Sequence, residues 1–320
     1  MNRFLDLLKS SRNHPVVVAH RGDSFHAPEN TLEAANLAHN AGADAWELDV
    51  QLTRDLVPVV LHDESLLRTT DVASQFKDDP RRRSGFRISD FDWDEVRALD
   101  AGSWFVDNRG GPRTALSFGT LDRIDQARID HYRSGRVTVP TLAEALILTK
   151  ERDWLVNVEI KSFPECPPGI VDRVLEVVTE MGTSSHVLIS SFDHADLAAA
   201  NLPGRKYALG ILTWTPLYRI HEYATTIVCV DTVHVSAESL GSESVRYRRD
   251  PASSSLRGEA VVRRNEERIP ILAYTVNDHG PDSLAEHMAQ LGIDGLFTDD
   301  PAGLTRYFAA KSFATHSDPR

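Results

Sequence analysis

Side chains two residues apart on an extended strand share a face. Glu47 and Asp49 therefore point the same way, and so do Glu159 and Lys161. Three carboxylates aimed at one place repel unless something cationic sits among them. Arg21 and Lys161 supply part of that charge. A hard divalent ion, Mg2+ or Ca2+, would supply it better, because it prefers carboxylate oxygen. His20 and His62 add an acid/base pair, since a free imidazole titrates near pH ~6.5. A cation, two histidines, an arginine and a lysine together suit cleavage of a phosphate ester. The cation and Arg21 would offset charge on the non-bridging oxygens, while one histidine takes a proton from the nucleophile and the other gives one to the leaving oxygen. The weight lies in the joint occurrence. Taken singly, a histidine ending a strand is a cap or packing group, Glu47/Asp49 is a surface stripe and Glu159/Lys161 is an ordinary ion pair.

Such residues must be brought together by the elements that carry them. Apolar runs of strand length occur at Val16–Ala19, Ala45–Leu52, Leu155–Ile160, Val187–Ser190, Tyr207–Ile211, Thr232–Val235, Ile271–Val276 and Gly295–Thr298. Helical segments fall between them: Asn30–Ala41 (Asn30 as N-cap, boxed by Glu33), Leu142–Thr149 (Thr141 boxed by Glu144), Gly169–Met181, Asp193–Asn201, Pro216–Tyr223, and Asp282–Leu291 stopped by Gly292. This alternation predicts an α/β fold, a (β/α)8 TIM barrel. A doubly wound open sheet would carry a glycine-rich phosphate turn after its first strand, and none is seen. In a barrel the functional groups sit at the C-terminal strand ends, where the residues above fall together with Ser190, Ser191, His234, Tyr274, Asn277 and Asp299.

Val57–Leu61 follows Ala45–Leu52 too closely for a parallel crossover. It predicts a hairpin extension of the second strand. Residues 63–139 then read as a polar, punctuated insertion over the C-terminal face, with one short helix at Trp93–Leu99 and no core of its own; residues 1–320 form a single domain. The opening residues predict a short helix packed on the body, and Lys311–Arg320 a frayed tail. The Arg-rich stretch between Glu238 and Glu267 fits no element.

Composition narrows the partners. The chain of 320 residues carries 35 Lys and Arg against 47 Asp and Glu, a net charge of −12. That argues against a polyanion partner such as nucleic acid and against attachment to anionic membranes. The two cysteines, Cys166 and Cys229, cannot build a disulfide scaffold or a cysteine zinc site and are expected to be buried free thiols. Asp6 and Lys9 break the only apolar run near the start, and no run is long enough for a membrane span, so the reading is cytoplasmic. His234 reads as structural, Arg81–Arg83 as a solvated run, and Ser190 lacks the flanking glycines of a nucleophile elbow.

At this point the motifs can be read in chain order: His20-Arg21-Gly22, Pro28-Glu29-Asn30-Thr31, Glu47-Leu48-Asp49-Val50, Thr53-Arg54-Asp55 and Pro58-Val59-Val60-Leu61-His62-Asp63. Ala101-Gly102-Ser103-Trp104-Phe105, Val139-Pro140-Thr141-Leu142, Glu159-Ile160-Lys161, Ser191-Phe192, Thr275-Val276-Asn277 and Thr298-Asp299-Asp300-Pro301 follow. In combination, over about residues 16–305, they resemble the glycerophosphodiester phosphodiesterase family. The resemblance implies a barrel with an insertion after the second strand and its hairpin. It implies a divalent-metal phosphodiesterase that releases an alcohol and sn-glycerol 3-phosphate from small glycerophosphodiesters, such as glycerophosphocholine or glycerophosphoethanolamine. By position, His20 and His62 resemble the acid/base pair, Glu47, Asp49 and Glu159 the metal ligands, and Arg21 and Lys161 the phosphate contacts. Tyr274 stands where the family usually has Trp and is expected to pack against substrate; Ser236–Ile269 is atypical. A lysophospholipase D-type activity and a non-catalytic phosphodiester-binding role are the alternatives. Mg2+ versus Ca2+, attack by water or by the neighbouring glycerol hydroxyl, and the oligomeric state stay open.

Overall fold

Each strand of the fold sends alternate side chains to two different layers. The structure, a computed structural model, describes residues 2–10, 12–107, 111–215, 217, 219–240 and 269–311. Its strands are β1 (Val16–Ala19), β2 (Ala45–Leu52), β3 (Pro58–Val60), β4 (Val156–Ile160), β5 (Val187–Ser191), β6 (Ala208–Thr213), β7 (Thr232–Ser236), β8 (Ile271–Tyr274) and β9 (Gly295–Thr298). β1 pairs in parallel with both β2 and β9, which closes the eight parallel strands into a (β/α)8 barrel. β3 lies outside that ring, antiparallel on β2 with Val50 opposite Val60, as the short connection requires.

Outward residues such as Trp46, Leu48, Val50, Val156, Val158 and Ile160 pack beneath the helices in the largest apolar cluster. Inward residues divide by height. At the strand starts Val16, Val18, Ala45, Leu155, Leu188, Ala208, Leu272 and Phe297 join Phe4 and Leu8 of α1 (Arg3–Lys9). The expected N-terminal helix is thus a plug in the barrel floor. Asn2 caps it, accepting from Phe4 N and Leu5 N, and donates through Nδ2 to the carbonyls of Val187 and Lys206, both at 3.0 Å. Two and four residues further along the same faces come the polar residues, so the upper half of the barrel is where charge collects.

Several local expectations need correction. Helix α2 (Leu32–Asn40) is capped by Thr31, whose Oγ1 accepts from Ala34 N at 3.2 Å, not by Asn30 with a Glu33 box. Asn30 sits at φ +59° and commits its side chain to Asp49. Residues 63–139 do have apolar cores. Leu66, Val72, Phe86, Ile88, Phe91, Val96 and Leu99 pack on Val59 and Leu61. Trp104, Phe105, Ala115, Ile124, Tyr132 and Val137 pack on Ala27 and Ala34. These side chains come from short turns and loops with no single period, so no alternation announced them. Arg81 is not solvated with its neighbours: it pairs with Asp79 and Glu95 and lies 3.8 Å from the centre of the Phe91 ring. Cys229 is exposed and Cys166 half-buried. The helix at Trp93 ends at Val96.

The boxed cap at Thr141 and the left-handed Gly292 stop form as expected. Pro216 and Tyr218 of the expected helix Pro216–Tyr223, the Arg-rich stretch within 241–268 (most of Ser236–Ile269), and residues 312–320 of the tail lie outside the described residues. Among the described residues no helix is long and apolar enough to cross a membrane.

His234 is fully buried on β7, with Nε2 3.0 Å from Thr232 Oγ1 and its ring 5.2 Å from that of Phe297. Gly210 must stay small beside it, because a Cβ there would lie 2.4 Å from Thr232 Oγ1 and 2.7 Å from His234 Nε2. Burial pushes the His234 imidazole down to about 3. Between that value and the unfolded value of ~6.5 the unfolded chain binds one more proton than the folded one. The contribution of neutral His234 is therefore complete above ~6.5 and is lost as pH falls toward 3. Denaturant unfolding across this range should show it: His234→Gln flattens the acid limb by up to about 1.4 kcal/mol per pH unit, and an unchanged slope would contradict the assignment.

Candidate functional site

The register of β2 on β4 sets Asp49 beside Glu159 and Glu47 beside Asn157. One oxygen each from Glu47, Asp49 and Glu159 then lies within 4.8 Å of the others, all buried. Loss of hydration and the charges of Asp49 and Glu159 hold Glu47 well above the usual carboxylate range. Burial also raises Glu159 against the pull of Lys161. Burial would raise Asp49 too, but the charges of Lys161 and Arg21 override it and hold that carboxyl low.

The chain turns sharply after β1 to bring these cations in. Arg21 has φ +58° and Gly22 φ +81°, and a Cβ on Gly22 would come 2.5 Å from the Ala34 carbonyl carbon. The turn points the Arg21 backbone N–H at Glu47 Oε2, at 2.8 Å, and sets Arg21 Nε 3.2 Å from Asp49 Oδ2. Lys161 Nζ pairs with Asp49 Oδ1 at 3.1 Å and with Glu159 Oε1. Asn30 closes a ring on Asp49, donating from Nδ2 to Oδ2 at 2.8 Å and accepting from the Asp49 N–H at 3.2 Å. After all this, buried Glu47 Oε1 has no hydrogen-bond partner and Asp49 Oδ1 has only its ion pair. Unmatched buried carboxylate oxygens are costly, and a hard cation among three such oxygens would satisfy them. The residues present fit a divalent ion.

Each histidine stands against a carboxylate. His20 Nδ1 is 2.7 Å from Asp299 Oδ1, and His62 Nδ1 is 2.7 Å from Asp63 Oδ1. Both acids are held low, against burial, by their histidine and arginine partners. An ionised carboxylate only accepts, so each ring turns an Nδ1–H to its aspartate and Nε2 the other way. Burial lowers His20 to about 4, opposed by the charge of Asp299 and helped by that of Arg21.

The sequence reading did not reach the ion-pair network behind these pairs. Glu29 is 5% exposed and receives Arg21 Nη1 at 2.7 Å, Arg68 Nη2 at 2.6 Å and Arg113 Nε at 2.7 Å. Asn277 joins Asp299, donating from Nδ2 to Oδ2 at 2.7 Å. The motifs Pro28-Glu29-Asn30-Thr31 and His62-Asp63 were the available signal for Glu29, Asn30 and Asp63. Nothing local signalled Arg113, which reaches Glu29 and Asp299 across 84 and 186 residues.

Tyr274 stands edge-on to Phe192 and Trp214, which stack on each other at 4.6 Å, and its hydroxyl donates to the Thr213 carbonyl at 2.8 Å. Lys161 Nζ lies 5.8 Å from the Phe192 ring centre, so this aromatic wall borders the carboxylate cluster. Trp214, 67% exposed, was not singled out from sequence. Ser190 Oγ accepts from Asn157 Nδ2 at 3.0 Å, as suits a structural residue.

Comparison with known proteins bears on what this arrangement does. The family model described as "Glycerophosphoryl diester phosphodiesterase family" matches residues 20–303. A glycerophosphodiester phosphodiesterase of Caldanaerobacter subterraneus subsp. tengcongensis is 32% identical over 289 residues, 90% of this chain and 96% of that protein. Among solved structures, an Oleispira antarctica phosphodiesterase in complex with the product sn-glycerol-3-phosphate is 25% identical with a TM-score of 0.65, covering 92% of this chain and 97% of that one. A glycerophosphodiester phosphodiesterase from Agrobacterium tumefaciens, 21% identical with a TM-score of 0.61 over 91% of this chain and 99% of that one, shares the fold.

The His20 geometry makes a spectroscopic prediction. At mildly acid pH, nitrogen-15 spectra of the His20 ring should show a neutral imidazole with its proton on Nδ1. Asp299→Asn removes the charge that raises the ring's affinity for a proton and should drive its titration below about 4. A ring that titrates as freely as an exposed histidine would overturn the burial argument.

Proposed function

Because this chain belongs to the glycerophosphoryl diester phosphodiesterase family and is a phosphoric diester hydrolase, we propose that it cleaves small glycerophosphodiesters, such as glycerophosphocholine or glycerophosphoethanolamine, to the free alcohol and sn-glycerol 3-phosphate. The observation that carries this reading is one constellation: buried Glu47, Asp49 and Glu159, flanked by Arg21 and Lys161, beside two carboxylate-backed histidines. Glu47, Asp49 and Glu159 would hold Mg2+ or Ca2+, which supplies positive charge for the non-bridging phosphate oxygens. Arg21 and Lys161 contact the phosphate and share that charge. His20, kept neutral by burial, suits proton removal from the nucleophile. His62 then gives a proton to the departing alcohol oxygen.

Tyr274, with Phe192 and Trp214, forms the wall on which an apolar part of the substrate rests. Exposed Trp214 also favours the second reading, in which a lysophospholipid lays its chain on the same wall. Residues 63–139 cap the mouth from above, and Arg68 and Arg113 tie them to it. The two unpaired cysteines fit a reducing, cytoplasmic setting. Both water and the neighbouring glycerol hydroxyl are competent nucleophiles for in-line attack. The internal route gains from proximity and would pass through a cyclic phosphate that rapid quenching traps before water opens it, whereas direct attack by water forms no cyclic phosphate.

His20→Ala and His62→Ala should each lower kcat on glycerophosphocholine by ~10²–10⁴-fold, with the circular dichroism spectrum unchanged. Chelation should abolish release of glycerol 3-phosphate, and added Mg2+ or Ca2+ should restore it. Full activity in His20→Ala would sink its assigned role. Faster turnover of a lysophospholipid than of glycerophosphocholine would favour the second reading.

A further inference from the structure

Two chains of ion pairs run from one buried carboxylate to the two histidines. In the first, Glu29 Oε2 takes Arg113 Nε at 2.7 Å, and the same guanidinium gives Nη2 to Asp299 Oδ1 at 2.7 Å and Nη1 to Oδ2 at 3.1 Å. Asp299 in turn backs His20. In the second, Glu29 takes Arg68 through Nη2 at 2.6 Å and Nη1 at 3.1 Å. Arg68 then holds Asp63 through Nε at 2.6 Å and Nη2 at 3.0 Å, and Asp63 backs His62.

A guanidinium fixed on two sides by carboxylates cannot rotate about its own plane. Each aspartate is therefore held at the angle its histidine needs. Both bridging arginines come from residues 63–139, while Glu29 lies between β1 and α2. We propose that Glu29 is a positioning residue for both histidines, acting on His20 through Arg113 and Asp299 and on His62 through Arg68 and Asp63. The inference rests on the acid/base reading of His20 and His62. Because Glu29 also receives Arg21, the same carboxylate ties the phosphate contact to both proton-transfer groups.

Lysine keeps the charge of Arg68 or Arg113 but lacks the fork that spans two carboxylates. The test uses the full chain, read two ways: nitrogen-15 spectra of the histidine rings without substrate, and kcat and KM on glycerophosphocholine. Arg113→Lys should move the Nδ1–H resonance of His20 and spare that of His62, and Arg68→Lys should do the reverse. Glu29→Gln should move both and lower kcat by ~10–100-fold, with KM changed far less. Resonances that stay put in all three variants would overturn the inference, as would a loss confined to KM. If Glu29→Gln fails to fold, the two lysine variants decide. A wild type inactive on every glycerophosphodiester would defeat the functional reading, while the substrate-free spectra would still judge this one.

Discussion

Three buried carboxylates sharing one small space is the constraint around which the upper barrel is organised. Like charges at such distances, away from water, repel strongly unless neutralised nearby. The fold answers with cations brought from separate elements: Arg21 from the turn after β1 and Lys161 from just past the end of β4. The left-handed backbone at Arg21, Gly22 and Asn30 follows from this, since each must aim a group at Glu47 or Asp49 or leave room for the turn that does. Local strain of this kind persists only where surrounding contacts over-determine it, and here they do.

The charge then propagates outward in alternating signs. Arg21 needs Glu29, Glu29 draws in Arg68 and Arg113, and these reach Asp63 and Asp299. Every buried ion in this series has an opposite partner, the condition under which buried charge is tolerated. The net charge of −12 therefore describes the surface poorly as a guide to the site. The mouth interleaves both signs, with Arg21 and Lys161 set against its carboxylates.

How much could be read from sequence depended on the range of the interaction. Strand alternation is local, so the barrel, the hairpin and the shared face of Glu47 with Asp49 are legible in the sequence. The two-residue spacing of Glu159 and Lys161 was equally plain. The helix after β1 was foreseen, but its cap was not, because Asn30 is the better N-cap by type and was diverted to Asp49 by a contact 19 residues away. The cores of residues 63–139 escaped because their apolar side chains follow neither a helical nor a strand period. Arg68 and Arg113 escaped for a related reason: long-range ion pairs leave no trace in local spacing.

The plug in the barrel floor and the backing of His20 have a shared consequence for synthesis. Phe4 and Leu8 are made long before Leu272 and Phe297, which complete the pocket that receives them. His20 likewise emerges 279 residues before Asp299. The ring cannot close until β9 arrives to pair with β1. A nascent chain on the ribosome therefore carries Glu47, Asp49 and Glu159 before the barrel that gathers them can close, and both ends of the barrel are sealed by the same late event.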